Sequence, residues 1–487
     1  MTRQAMPRLA AATALIAGLA ALIAGLAACS SAGAGGQSTG PAPSTRTVPA
    51  SSPASGGTGR GTAGGERGTA FPAATWGQFG GNVAKSGVAT GLPSAGHLSV
   101  AWRAGLDGAV YGQPLVIGQL IVAATENDSL YGLSQTTGRV VWHTHLGSPV
   151  PLADLPCGDI DPLGITGTPA LDRDTGLVYA VAEMAGYRHV LFGLAVSSGA
   201  VKVERDIPAP DGQPRYDQQR PALTIEDGRV YMTFGGLEGD CGPYVGSVVG
   251  VPVSGSGALV SYRVPTAKGG AIWGTAGPVA GPGGTLYVSS GNGASDGGTF
   301  DGSDSVTALS PGLKRTDIFA PVTWGQDNAS DLDLGSTQPA LLPGGLLLSV
   351  GKRGTGYLLR TAHLGGVGGQ IASGSVCKAF GAAAVSGTTV YEPCESSGMK
   401  AVSTAGDKIR VLWTGPAGAA GSPVLGGGAV WVNDWDTGTL YELNPANGEV
   451  RNSVRLGAAL PHFASLSLAG SLAFVGTDDG VTAVRGA

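Results

Sequence analysis

The chain has 487 residues, 85 of them Gly and 31 Pro, so about a quarter of it is turn-forming, twice the usual share. Charged residues make only 13% while hydrophobic residues reach 42%, which excludes wholesale disorder, and no Gly-X-Y period is present, which excludes collagen. A formal net charge of -5 carries no basic surplus, so a phosphate-binding surface is not the main business and nucleic acid is not an expected partner.

In chain order, Arg3 and Arg8 precede an apolar run from Leu9 to Ala27 that closes on Leu26-Ala27-Ala28-Cys29. This pattern predicts a signal peptide over residues 1–29. Its end resembles a bacterial lipobox, which implies lipidation of Cys29, cleavage before it, and export to the outer face of the bacterial cell membrane. An uncleaved membrane-spanning helix is the alternative, because the run approaches the ~20 residues that cross a bilayer. Residues 30–70 are Ser, Gly, Ala, Thr and Pro with almost nothing apolar of any size, which predicts a disordered tether. The folded part is expected over 71–487. Its four cysteines, Cys157, Cys241, Cys377 and Cys394, are an even number in an exported chain with no Cys-x-x-Cys, which favours two disulfides over metal ligation.

A short element recurs through the folded part: a polar or small residue, often Pro, two or three apolar residues, a Gly turn and a second β-rich run. The copies are Gln113–Val116, Thr168–Leu171, Arg220–Leu223, Gly277–Ala280, Gln338–Leu341, Gly381–Ala384, Ser422–Leu425 and Ala464–Ser467. Second strands follow, such as Leu177-Val178-Tyr179-Ala180-Val181 and Val430-Trp431-Val432, and third strands such as Ser129-Leu130-Tyr131-Gly132-Leu133. Eight copies spaced about 50 residues apart match propeller blades of four strands, not the strand pairs of a sandwich. Leu98-Ser99-Val100-Ala101-Trp102 matches the fourth strand of the first repeat, Arg139-Val140-Val141-Trp142, whereas the eighth repeat stops at its third strand, Val481–Val484. An N-terminal strand completing the last blade closes the ring and removes its edges. The predicted fold is therefore all-β: an eight-bladed β-propeller of four-stranded antiparallel blades.

Two segments carry a family resemblance. Thr136-Thr137-Gly138-Arg139-Val140-Val141-Trp142 resembles the tryptophan docking motif of quinoprotein-type propellers, and Trp76-Gly77-Gln78-Phe79-Gly80-Gly81-Asn82 is similar to the leading segment of PQQ-like repeat proteins. That superfamily contains both dehydrogenases and assembly-factor scaffolds.

Antiparallel strand order assigns residues to a face, because the start of a first strand and the end of a second lie at the same end of a blade. Cys377 and Cys394 then flank the first two strands of blade 6, and Cys157 and Cys241 lie before blade 2 and after the second strand of blade 3; pairing Cys157 with Cys377 or Cys394 would cross the ring. The same rule gathers Arg220, Trp273, Asn292, Asp331, Asp333, Lys352, Asp434, Trp435, His462 and Asp478 on one face. Ala271-Ile272-Trp273-Gly274, Ser290-Gly291-Asn292-Gly293, Asp331-Leu332-Asp333 and Gly351-Lys352-Arg353-Gly354 resemble, in order, the motifs of PQQ-dependent alcohol dehydrogenases. The resemblance implies PQQ with calcium or a lanthanide: Trp273, Lys352 and Arg220 against the cofactor, Asn292 and Asp333 on the metal, and Asp331 as catalytic base. The family's adjacent Cys-Cys pair is absent, Glu183 and Glu238 are the candidates for its metal-binding Glu, and no Cys-x-x-Cys-His haem site is present. Two functions follow: a membrane-tethered binding module whose face takes a ligand or a protein partner, and a PQQ-dependent alcohol or sugar dehydrogenase.

Overall fold

The computed structural model describes residues 76–486. Cys29 and the segments assigned to signal peptide and tether lie outside the described residues. Eight sheets succeed one another along the chain. Blade 1 is built from Leu115–Ile117, Leu120–Thr125, Ser129–Ser134 and Val140–His145 in antiparallel order. The ring closes as the sequence predicts. Leu98–Gly105 pairs with Gly480–Gly486 and supplies the fourth strand of blade 8, whose others are Leu466–Ala469 and Leu472–Thr477. Two blades carry an extra short strand: Asp217–Gln218 in blade 3, and Gly366–Val367 alongside Arg315–Ala320 in blade 4. One six-residue helix, Trp324–Ala329, precedes blade 5.

Burial follows strand position. The first strands are short and buried throughout, and they touch the first strands of neighbouring blades, so they line the axis. The fourth strands alternate buried and exposed residues, as an outer strand with one wet face must. Adjacent blades dock through a repeated contact. Trp102, Trp142 and Trp413 each donate an indole N–H to a carbonyl of the next blade, of Gln135 (3.1 Å), Val196 (2.8 Å) and Pro445 (2.9 Å). Their rings cover Gly138, Gly199 and Gly448, where φ is +70°, +70° and +74°; a Cβ at any of these would lie within 2.5 Å of the ring, so the turn must be glycine for both reasons. Both disulfides form as expected, Cys157–Cys241 with Cα atoms 6.2 Å apart and Cys377–Cys394 with 5.7 Å.

The segment from Trp76 to Ala89 does something the sequence reading did not foresee: it runs through the middle of the ring. Trp76 bridges Val116 antiparallel, Leu171 N–H donates to the Gly77 carbonyl (2.7 Å), and Ala280 N–H donates to the Val83 carbonyl (2.9 Å). Val385 N–H donates to the Ser86 carbonyl (2.8 Å), and Val88 bridges Leu425 in parallel. One segment can meet the first strands of blades 1, 2, 4, 6 and 7 only on the axis. Its antiparallel start and parallel end mean that it rises from the far face and returns to it, a hairpin-like insertion with Phe79 packed on Ala222, Ala276 and Ala382.

Candidate functional site

Above Phe79, at the face where first strands begin and second strands end, lies a cavity of about 610 Å³. The loops before blades 2, 3, 4, 5, 6 and 8 and the turns after the second strands of blades 3, 4 and 5 build it. Trp273, before blade 4, lies 6.2 Å from the ring of Phe463, before blade 8. Those blades are opposite in an eight-bladed ring, so the two rings meet on the axis. Phe380, before blade 6, stacks on Phe463 at 5.9 Å with planes 5° apart and stands 6.0 Å from Trp273. Phe463 holds φ at +63°, a region a bulky side chain adopts at a cost of order 1–3 kcal/mol, so the surrounding packing fixes its position.

Two cations lie over these rings. The Arg220 guanidinium sits 4.4 Å from the Phe463 centroid and 5.9 Å from that of Trp273. Among the described residues no carboxylate lies within ion-pair distance of it. Burial pulls its pKa down, while Asp159, Tyr111 and Glu126 oppose this through space. The Lys352 ammonium is 5.6 Å from Trp273 and 5.8 Å from Phe380, and it bridges two carboxylates: Asp331 Oδ1 at 2.7 Å and Asp333 Oδ2 at 2.6 Å. Burial lowers the Lys352 pKa, but the two carboxylates outweigh it and hold it above the ordinary lysine value. Asp333 is buried, and burial raises its pKa against the pull of Lys352 and of the Asn292 N–H, which donates at 2.7 Å. Asn292 Nδ2 donates to Asp331 Oδ1 (2.9 Å), while its buried Oδ1 has no hydrogen-bond partner.

The sequence-predicted residues therefore divide. Arg220, Trp273, Asn292, Asp331, Asp333 and Lys352 all line the cavity, and His462 stands at its wall. Trp435 backs it, edge-on to Phe463 at 5.7 Å. Asp434 is spent capping the Thr437 N–H (3.0 Å), and neither it nor Asp478 lines the cavity. Glu238 is at the cavity wall, but Glu183 lies in blade 2, buried against His189 and accepting the Gln219 N–H. Asp304 is wholly buried and accepts the Leu334 N–H at 2.8 Å. Phe380 and Phe463 escaped the sequence reading. Their signal was their place just before a repeat copy, in a chain with only 9 Phe.

The donor set does not fit a resident hard cation. Such an ion takes six to eight oxygens, whereas here the facing oxygens of both carboxylates hold an ammonium and the amide turns its nitrogen to Asp331. Asn292 Oδ1 is one available oxygen, and among the described residues no three His, Cys, Asp or Glu side chains are grouped to hold a metal.

Residues 94–310 match a family model described as outer membrane protein assembly factor BamB. That stretch is of the PQQ-like repeat kind, and it lies within the eight-bladed propeller. Among solved structures it is similar to a quinohemoprotein alcohol dehydrogenase from Pseudomonas putida HK5 (13% identity, TM-score 0.64, covering 85% of this chain and 80% of that one). It is also similar to BamB from Moraxella catarrhalis (15% identity, TM-score 0.55, 80% and 97%) and to a europium-containing methanol dehydrogenase (15% identity, TM-score 0.61, 82% and 89%). At these identities the likeness is one of fold. No curated protein matches the chain.

Proposed function

We propose that this PQQ-like propeller is an extracytoplasmic binding module, tethered to the membrane through lipidated Cys29, that holds a small molecule in its axial cavity. The observation that carries the reading is the combination of an aromatic wall, made by Trp273, Phe380 and Phe463, with an Arg220 guanidinium that lacks a carboxylate partner in the same cavity. A concave site that combines aromatic rings with converging polar groups is suited to orienting a small molecule. A partly buried charge without a direct ion-pair partner is a group that a ligand counter-charge would pair.

The convergence of Trp273, Asn292, Asp331 and Lys352 favours the dehydrogenase as the second reading, but the metal on which that chemistry relies has no fitting donor set here. Two measurements separate them. A fragment screen by intrinsic tryptophan fluorescence should yield ligands whose binding disappears in Trp273→Ala and in Phe463→Ala; a screen without such ligands refutes the binding module. Incubation with PQQ and calcium or a lanthanide should give neither a retained quinone spectrum nor dye-linked alcohol oxidation. Retention and turnover together, abolished by Asp331→Ala, would establish the oxidoreductase instead. Mass analysis of the mature protein should find a lipidated Cys29 at its N-terminus, and an intact Met1 would refute the anchor.

A further inference from the structure

Resting on the reading of the cavity as a small-molecule site, we propose that its ligand class is a small zwitterion, with a carboxylate and an ammonium at opposite ends of a flat or apolar body. The cavity has two poles. At one, the Arg220 guanidinium sits 4.4 Å from the Phe463 centroid, and a guanidinium offers a carboxylate two N–H groups side by side. At the other, Asp331 and Asp333 share the single ammonium of Lys352, so this end keeps one net negative charge. The buried Oδ1 of Asn292 adds an acceptor without a donor there, and the Asp331 side chain is exposed. An ammonium brings three donors to these oxygens.

Between the poles stand the aromatic rings of Trp273, Phe380 and Phe463. Arg220 and Lys352 each lie within 6 Å of the Trp273 ring, which places the two cations no more than about 12 Å apart, the span of a small molecule lying across one indole. Phe380 and Phe463 wall the same space.

Charge arithmetic rejects the simpler classes. Five carboxylates, of Asp159, Glu238, Asp240, Asp331 and Asp333, line the cavity against three cations, Arg220, Lys268 and Lys352. A simple anion would meet Arg220 inside a field that repels it. A simple cation would satisfy the acidic pole and leave Arg220 without a direct carboxylate partner. A zwitterion answers both poles and leaves the cavity's total charge unchanged.

The test is calorimetric titration of the full-length protein with 4-(aminomethyl)benzoate, and with two analogues that each keep one charge, 4-methylbenzoate and benzylamine. The zwitterion should bind at least 10-fold more tightly than either analogue. Arg220→Met should bring its affinity down to that of benzylamine, and Asp331→Asn down to that of 4-methylbenzoate, with unchanged circular dichroism in both variants. Equal binding of the zwitterion and either analogue overturns the proposal. So does silence of all three probes; if fluorescence-screen ligands nevertheless bind in a Trp273-dependent way, the cavity reading survives and the zwitterion alone fails.

Discussion

Replacing Lys352 with Met tests whether the paired carboxylates are held by this one ammonium. The Asp331 contact contributes little, because that side chain is 72% exposed, and an exposed pair is worth at most about 1 kcal/mol. The Asp333 contact matters more. Its side chain is 9% exposed and Lys352 is 13% exposed, so removing the ammonium strands a buried carboxylate with one backbone N–H donor, from Asn292. Breaking a buried pair costs about 3–5 kcal/mol, so a loss near 4 kcal/mol is expected at pH 7. The pH dependence has a definite sign. Burial already raises the Asp333 pKa, and without Lys352 it rises further, so the penalty exists only where the unfolded carboxyl is ionised. It should be small at pH 4 and grow as pH rises to 7. Urea unfolding followed by tryptophan fluorescence at both pH values measures it, and Asp333→Asn added to Lys352→Met should recover most of the loss at pH 7. A deficit under about 1 kcal/mol at pH 7, or an equal deficit at pH 4 and 7, refutes the reasoning.

Three further outcomes are expected. Lys85 is buried in the inserted segment, where burial lowers its pKa to about 7 and its ammonium donates only to the Leu223 carbonyl (3.0 Å). A lowered lysine pKa penalises the fold fully below 7 and not at all above the unfolded value, so the wild-type melting temperature should rise from pH 7 to 10, and Lys85→Met should lack that slope. Glu392, buried in the second strand of blade 6 with Oε1 unpartnered, is pushed up to about 8 by burial. Its favourable contribution is complete below the unfolded carboxylate pKa and is lost as pH rises through 8, so Glu392→Gln should melt higher than wild type at pH 8.5 and alike at pH 4.5. Gly199→Ala places a methyl 2.5 Å from the Trp142 ring at φ +70° and should cost about 3 kcal/mol or more, whereas Gly186→Ala, at φ +84° with no atom within 4 Å, should cost only about 1–2 kcal/mol of backbone strain; similar losses in the two variants would refute the docking account.

The eight blades, the closing strand and both disulfides were legible because each is a local consequence of hairpin topology. Once Gln113–Val116 is a first strand, the alternation of strand direction places every later turn, and Cys377 and Cys394 fall at one end of one hairpin. The charged half of the site was legible for the same reason, since the turn rule put Asp331, Asp333 and Lys352 on one face. What it could not supply is depth along the axis. Phe380 and Phe463 stack across 83 residues of sequence, and nothing in the spacing of either repeat says that its leading residue points inward. The inserted segment was hidden for a different cause. Its partners are backbone groups of five blades, and backbone hydrogen bonds leave no residue-type signature.

The inserted segment and the cavity are thus built from different kinds of interaction, and this separates stability from recognition. Along the inserted segment, carbonyls of Gly77, Val83 and Ser86 accept N–H groups of first strands, bonds that survive most side-chain substitutions. At the cavity, side chains supply most of the lining, so exchanging Arg220, Phe380 or Phe463 alters what the cavity accepts without loosening the ring closure between Leu98–Gly105 and Gly480–Gly486. Lys352 is the exception, because it faces the cavity and also neutralises the buried Asp333. A ligand ammonium that displaced it would have to supply the same neutralisation, so the Asp331 side, with its exposed carboxylate, is where a ligand donor adds to the network without breaking it.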